Sequence, residues 1–281
     1  MSERIAIRRA APSSLAGARH MTHKAVQMPS NAARANLDAA TDDSHANLGW
    51  DHGLAAFLSR PMEGKNGPVG VALNLAEFEL GLVRNGNFDT RLALDGATIS
   101  EADTWLDGQL ADAGLKGTSV VTLPYEMPSE AAAIETYSSD GLVDSMTALS
   151  GWFDLAAIAL AEFSERISDL SPTPIRCWTH HYDVANEVNF QASEEDAELT
   201  IGLGFSPGDE NYDEPYFYVS PWSAVDQHDL PPPSVTGRWH TDGFVGVVAT
   251  ASQILSFEDA NGTSLEFLAE AFALCRAKLG V

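Results

Sequence analysis

Cysteine is scarce in this sequence, which limits how the chain can be stabilised. Cys177 and Cys275 are its two cysteines, and no C-x-x-C pair occurs. They cannot form a framework of paired disulfides or a cysteine-rich zinc site. A chain of 281 residues is long enough to fold around a core without such staples. We therefore expect reduced thiols in a cytoplasmic protein.

Long apolar runs are also absent. No stretch approaches the roughly 20 consecutive apolar residues that a membrane-spanning helix needs. The basic, Ala- and Ser-rich N-terminus is not followed by the continuous apolar segment of a secretory signal. We predict that residues 1–20 form a flexible arm and that the chain has no membrane partner.

Positive charge is the third scarcity. Lys and Arg number 16 against 40 Asp and Glu, a formal net charge of −24. A field of this sign repels nucleic-acid phosphates and anionic lipids, so neither is an expected partner. The simplest role of the acidity is solubility. The one local basic cluster lies within the first 20 residues and comprises Arg4, Arg8, Arg9 and Arg19.

Apolar periodicity predicts the secondary structure. Alternating apolar residues and the turn pair Asn85-Gly86 indicate an antiparallel meander over 68–95. A helix capped by Ser100 and ended by Gly114 follows. Residues 118–128 then predict a buried strand that runs into a proline-bounded loop. The strongest helix covers 141–167, because apolar residues there recur at steps of four and three; its stripe includes Phe153 and Leu160.

The C-terminal half returns to strands and closes with a helix near 262–279. The order of elements lacks the regular βαβ alternation of a doubly wound fold. We therefore predict an α+β fold with largely antiparallel sheets, a long central helix and a C-terminal helix. Residues 21–281 are predicted as one domain, with 21–115 and 116–281 as candidate halves of an internal duplication.

Four short motifs carry a family resemblance. In chain order they are His23-x-x-x-Gln27 with Arg34, Leu37, His45 and Trp50 after it; Pro124, Tyr125, Glu126 and Pro128; Trp178 before YDVA; and GFSPGD before EPYFYVSPW. Together they resemble the bacterial domain-of-unknown-function family 5996 over roughly residues 20–275. The resemblance implies an outline of the fold and no particular chemistry. It also suggests a strand where residues 31–40 have a helix-forming composition.

The densest group of chemically active residues is CWTHHYD at 177–183. On an extended strand His181 and Asp183 share one face, about 6.5–7 Å apart at the backbone. An imidazole and a carboxylate there suit a divalent metal, with a third ligand from His23, His45 or His240. The alternative is a hydrogen-bonded polar strand in which Asp183 fixes a histidine tautomer.

Three weaker signals accompany this group. Cys177 and His181 would share the same strand face, as in activated thiols, but no oxyanion-hole motif is present. DENYDE at 209–214 opens like a calcium loop, yet its sixth position is Glu214, so a solvated acidic turn is favoured. Arg238 stands in a loop before a buried strand, where it suits a ligand carboxylate or phosphate. An ion pair of Arg238 with Asp242 or another acid is the favoured alternative.

These candidates converge on the hypothesis of a small-molecule pocket. Catalytic roles are assigned to His181 and Asp183, and a divalent metal to His181, Asp183 and His240. Ligand-binding roles fall to His23, Gln27, His45, Trp50, Trp178, Arg238 and His240. Two classes of function stay open. One is an enzyme that uses histidine and Asp183 as acid-base or metal groups. The other is a non-catalytic structural or oligomeric assembly protein with structural histidines.

The charge generates a test of the excluded partners. Because the net charge is −24, we expect no appreciable affinity for DNA, RNA or anionic vesicles at moderate salt. Fluorescence anisotropy with labelled oligonucleotides and co-sedimentation with vesicles measure this directly. Binding that weakens steeply with added salt would contradict the expectation, since that dependence is the signature of released counterions.

Overall fold

The computed structural model describes residues 6–190, 199–222, 227 and 229–281. The chain divides into two compact units. The first contains Met1–Asp154 and Arg176–Tyr182, and the second contains Leu155–Ile175 and Asp183–Val281. This division differs from the predicted halves 21–115 and 116–281, and the internal duplication stays a prediction.

Seven of the described strands belong to the first unit. They are β1 Leu48–Asp51, β2 Ala56–Ser59, β3 Met62–Gly64, β4 Gly67–Asn74, β5 Glu79–Arg84, β6 Asn87–Ala93 and β7 Arg176–Trp178. All pair antiparallel in the order β7-β1-β2-β4-β5-β6, and β3 pairs with β4. The predicted meander is confirmed as β4, β5 and β6. Asn85 and Gly86 both have positive φ, 50° and 74°, as the tightest hairpin turns require.

The helices of the first unit are α1 Ala16–Ala25, α2 Gln27–Asn36, α3 Ile99–Asp112, α4 Ser129–Ala132 and the beginning of α5 Val143–Arg166. Thr98, and not the predicted Ser100, caps α3. The Thr98 hydroxyl accepts from the Glu101 N–H at 3.2 Å, and the Glu101 carboxylate accepts from the Thr98 N–H at 2.9 Å. This reciprocal capping box outweighs a lone serine. Gly114, with φ of 80°, follows the end of α3 as predicted.

Three further expectations for this unit are corrected. Ile7 and Leu15 are buried and α1 begins at Ala16, so the described part of residues 1–20 is not a loose arm; residues 1–5 lie outside the described chain. Residues 118–128 are not a buried strand, because Thr118–Val120 is a short 3-10 helix and Val120 is 70% exposed. Residues 31–36 are helical, as their composition indicates, and do not form the strand that the resemblance suggests.

The second unit contains five described strands. They are β8 Asp183–Asn189, β9 Thr200–Ser206, β10 Tyr216–Trp222, β11 Arg238–His240 and β12 Gly246–Thr250. They pair antiparallel in the order β11-β12-β10-β9-β8. Pro221 lies within β10 and does not end it. The helices are the remainder of α5, α6 Ala251–Leu255 and α7 Ala260–Leu279, and the predicted C-terminal helix is thereby confirmed.

Helix α5 is the long helix predicted over 141–167. Phe153 and Leu160 are both fully buried, which confirms the apolar stripe as core. Among the described residues it is the one helix long and apolar enough to cross a membrane by length and composition, yet most of it is buried. That burial is typical of a core helix in a soluble protein. The antiparallel strands and these helices confirm the α+β fold.

The burial of Phe153 on α5 predicts how much stability is lost when its side chain is truncated. The Phe153 ring lies 4.8 Å from the Phe57 ring and 5.2 Å from the Tyr182 ring. Phe153→Ala should lower the free energy of unfolding by about 3–5 kcal/mol, because it removes a buried ring and leaves a cavity. Val143→Ala, on the same helix but 59% exposed, is the control and should cost under about 0.5 kcal/mol. Urea denaturation of both variants measures the difference; equal effects would mean that the stripe is not core.

Candidate functional site

The segment 177–183 is not one extended strand, and this changes the chemistry assigned to it. Strand β7 ends at Trp178, whose carbonyl accepts from the N–H groups of His181 and Tyr182 at 3.1 and 2.8 Å. Tyr182 has φ of 58°, the left-handed region. Because the backbone turns here, the prediction that His181 shares a strand face with Cys177 or Asp183 is wrong. Tyr182 is held in this costly conformation by complete burial of its ring.

The turn brings the carbonyl of Thr179 into a buried polar network of the first unit. His23 Nε2 donates to this oxygen at 2.9 Å, and Gln27 Nε2 donates to it at 2.9 Å. A carbonyl only accepts, so His23 carries its proton on Nε2. The two side chains are one helical turn apart, at the end of α1 and the start of α2. The predicted H-x-x-x-Q motif therefore acts on one buried oxygen.

The Thr179 hydroxyl extends the network to two more segments. Its oxygen lies 3.1 Å from Ser30 Oγ and 3.1 Å from the Tyr125 hydroxyl. Ser30 also donates to the Ala46 carbonyl at 2.8 Å, and Tyr125 donates to Gln27 Oε1 at 2.6 Å. Helix α2, residue 125 and the chain before β1 are thus tied to the same turn.

Burial decides the protonation of the histidines near this turn. It lowers the pKa of His23 to about 4, although the bond to the Thr179 carbonyl acts in the opposite direction. Burial also lowers the pKa of His180 to about 4, and the neighbouring His181 contributes. Both rings are neutral at pH 7. His23 is consequently a hydrogen-bond donor within the fold. His181, in the turn after β7, is exposed.

Beside the network lies an open depression of about 540 Å³, which we call the His45 pocket. Its walls come from three distant parts of the first unit: Leu37, Ala40, Ser44, His45, Arg60, Pro61 and Arg176. His45 Nδ1 accepts from the Ala40 N–H at 3.2 Å, so the neutral ring carries its proton on Nε2. Of the predicted ligand-binding residues, His45 is the one that lines this cavity.

An ion pair anchors the loop that carries His45. Arg34 donates from Nε to Asp43 Oδ1 at 3.1 Å and from Nη2 to the other carboxylate oxygen, a two-point contact. The Arg34 guanidinium also lies over the Tyr125 ring, 5.8 Å from its centroid. His45 Nδ1 lies 3.8 Å from Asp43 Oδ1. The loop at 43–45 is therefore joined to the network through Tyr125.

The two predicted tryptophans lie elsewhere in the first unit. Trp50, on β1, donates from Nε1 to Asp154 at 2.8 Å, and His52 approaches the same oxygen at 2.6 Å. Trp178 is half-buried, with its ring 6.3 Å from that of His180. Neither tryptophan lines the His45 pocket.

Asp183 begins β8 and belongs to the second unit. It is buried, and one of its carboxylate oxygens accepts a short hydrogen bond from the Tyr218 hydroxyl. Burial raises the pKa of Tyr218 well above its usual value, and the charge of Asp183 adds to this. Tyr218 is therefore a neutral donor, and Asp183 has an internal partner.

Arg238 and His240 meet aromatic side chains of the second unit. The Arg238 guanidinium lies 5.3 Å from the Tyr212 ring centroid, and no described residue forms a salt bridge with it. His240 Nδ1 lies 2.9 Å from the Tyr212 hydroxyl, and its ring stacks on Phe244 at 4.2 Å. In the described chain, the favoured ion pair with Asp242 is thus replaced by a cation–π contact.

The predicted metal has no geometric support. Within the described ranges, no group of three or more His, Cys, Asp or Glu side chains is arranged to hold a metal ion. The set His181, Asp183 and His240 is included in that finding. In the acidic turn at 209–214, the Asp209 carboxylate accepts from the N–H groups of Asn211 and Tyr212 at 2.8 and 3.1 Å. These internal hydrogen bonds explain the position of Asp209 without a calcium ion.

Comparisons with protein-family models, with curated proteins and with solved structures found no match. The site is therefore interpreted from its own geometry.

Sequence reasoning missed several residues of the site, in particular Ser30, Thr179, Arg60 and Arg176. Thr179 contributes a backbone carbonyl, which no side-chain motif reveals. A usable signal existed for the arginines. Cations are so few in this chain that each one next to a predicted strand merits inspection.

The low pKa of His23 generates a pH prediction. The pKa of His23 is about 4 in the folded protein, whereas that of an unfolded histidine is near 6.5. Between pH 4 and pH 6.5, His23 therefore binds a proton in the unfolded chain but not in the folded one. The free energy of unfolding should therefore fall as pH drops through this window, by up to about 1.4 kcal/mol per unit. His23→Gln keeps a donor for the Thr179 carbonyl and should reduce the loss between pH 7 and pH 5 by about 2 kcal/mol.

Urea denaturation at the two pH values measures this difference. His52→Gln, whose side chain is 51% exposed and contacts Asp154, gives the background from replacing a histidine outside the Thr179 network. Parallel pH profiles for wild type and His23→Gln would refute a buried, neutral His23.

Proposed function

We propose that this protein binds a small molecule in the His45 pocket. The cavity carries this proposal, because a volume of about 540 Å³ lies within the range of roughly 300–1,000 Å³ typical of small-molecule sites. Its lining comes from chain segments around residues 40, 60 and 176, which meet only in the folded first unit.

The walls of the pocket are held in place, which favours a preformed site. Leu48 on β1 pairs with Ser59 on one side and with Cys177 on the other. These pairings position the residues next to them, Arg60 and Arg176. Bound and unbound forms then need little rearrangement, and less binding energy is lost in ordering the site.

A larger depression of about 740 Å³ lies at the start of α3. One of its three acids, Asp107, is already engaged in the fold. Asp107 accepts from both the N–H and the hydroxyl of Thr118, at 2.6 and 2.8 Å. The Thr98 hydroxyl likewise serves the helix cap. Its lining combines one lysine with three acids, whereas the lining of the His45 pocket holds two of the chain's few cations and no acid, so the His45 pocket is preferred.

The second candidate is a non-catalytic structural or assembly protein, and the His23 network favours it specifically. His23 and Gln27 both serve the Thr179 carbonyl, as structural residues do. Ligand binding at His45 and structural roles for His23 are compatible. An enzyme with His181 and Asp183 as acid-base groups has less support, since the shared strand face on which it rested is absent.

We also propose that the protein is cytoplasmic. Cys177 and Cys275 are both buried and unbridged, which supports a reducing, cytoplasmic location. Membership of the bacterial domain-of-unknown-function family 5996 is also proposed, on the strength of the ordered motifs. Homo-oligomerisation remains compatible with either class of function.

Filling the pocket tests the proposal. Ala40 lines the cavity and Ala39, its exposed neighbour, does not. In a thermal-shift screen against a metabolite library, we expect compounds that raise the wild-type melting temperature by several degrees. Ala40→Trp should abolish those shifts because the indole occupies the cavity, and Ala39→Trp should retain them. Absence of any stabilising compound, or equal loss in both variants, would reject the pocket as the binding site.

A further inference from the structure

The lining of the His45 pocket has an unusual charge for this chain. The whole sequence carries 40 acids and 16 Lys and Arg. Yet the lining includes two arginines, Arg60 and Arg176, and no acid. A local positive field inside a strongly negative protein is the reverse of what composition alone would produce.

The pairing of β1 with β2 and β7 brings both arginines to one pocket. Leu48, Ser59 and Cys177 lie directly opposite one another on β1, β2 and β7, and all three are buried. Side chains alternate between the two faces of a strand. Arg176 begins β7 next to Cys177, so its side chain points to the face away from that residue. Arg60 directly follows Ser59, the last residue of β2, and lines the same pocket as Arg176.

The two guanidinium groups are close enough to affect each other. Burial lowers the pKa of Arg176, and the charge of Arg60 lowers it further. Arg60 Nε donates to the neutral amide oxygen of Asn47 at 3.3 Å. Among the described residues, salt bridges of arginine involve Arg9, Arg34, Arg84 and Arg91, but not Arg60.

The nearby acid does not cancel this field. Asp43, next to the pocket residue Ser44, is held by Arg34 through two contacts. His45 adds an N–H donor at Nε2, since its Nδ1 accepts from the Ala40 backbone. The pocket thus combines two cations, an N–H donor and no uncompensated carboxylate in its lining.

We propose that the His45 pocket binds an oxyanionic small molecule, whose carboxylate or phosphate group is held by Arg60 and Arg176 with His45 as an additional donor. This inference rests on the proposed function and names its ligand class. A guanidinium presents a planar fork of donors that matches carboxylate and phosphate oxygens. An anion between the two arginines also relieves their mutual repulsion. Because the net charge is −24, the rest of the protein surface repels anions, and the pocket is where an anion is attracted.

Isothermal titration calorimetry with three probes tests the ligand class: inorganic phosphate, pyrophosphate and citrate, each at constant ionic strength. We expect at least one to bind wild type with one site per chain. The phosphate and citrate arms separate a preference for phosphoryl groups from one for carboxylates. Arg60→Gln and Arg176→Gln should each weaken binding about tenfold or more, because each removes a charged donor from the site.

Arg91→Gln is the matched control. It removes one positive charge from an exposed arginine paired with Glu79, outside the pocket. It should change affinity less than about twofold, since exposed charges at a distance are screened. Equal weakening by Arg60→Gln and Arg91→Gln would overturn the proposal, because only the overall charge would then matter. Arg60 is exposed, so Arg60→Gln decides the matter if Arg176→Gln does not fold.

The outcomes distinguish the oxyanion proposal from the more general proposal that the His45 pocket binds a small molecule. Suppose that no oxyanion binds, while a neutral or cationic compound still stabilises wild type and not Ala40→Trp. The oxyanion proposal is then wrong and the small-molecule site stands. If no compound of any charge stabilises the protein, both proposals fail. Oxyanion binding that Ala40→Trp blocks and Ala39→Trp preserves supports both.

Discussion

A buried backbone carbonyl has to be satisfied, and in the first unit that requirement organises the site. The turn after β7 directs the Thr179 oxygen into the interior, where an unpaired acceptor would cost about 1–3 kcal/mol. His23 and Gln27 supply two donors from adjoining helices. Gln27 in turn receives the Tyr125 hydroxyl, and the Tyr125 ring lies under Arg34. The position of the pocket loop therefore depends on a chain of contacts that begins at one carbonyl.

Arginine has two distinct roles in this first unit. Arg34 is paired with Asp43 and holds the loop that carries His45. Arg60 and Arg176 line the open pocket to which this loop contributes His45. A pocket lined by two arginines and no acid has a positive local field that an anionic ligand can use. Because so few cations are available, this distribution carries more functional information than the total charge.

Histidine illustrates how far residue type can predict chemistry. His23, His45 and His181 are all plausible ligands from sequence, and the structure gives each a different environment. His23 is buried and neutral, with its Nε2 proton committed to a backbone oxygen. His181 is exposed in a turn, and His45 lines a cavity. The candidate positions were useful, but their roles depend on burial and on partners far away in the chain.

The sequence by itself determined the elements whose cause is local. Period-two alternation placed the meander, Asn85-Gly86 its hairpin, and the apolar stripe the long helix with Phe153 in the core. Only the tertiary structure decided the turn at Thr179, because no local glycine or proline marks it. Tyr182 adopts its left-handed conformation there because burial of its ring against distant aromatic residues outweighs the backbone cost. The pocket is likewise a tertiary product, since residues near 40, 60 and 176 become neighbours only when the strands pair.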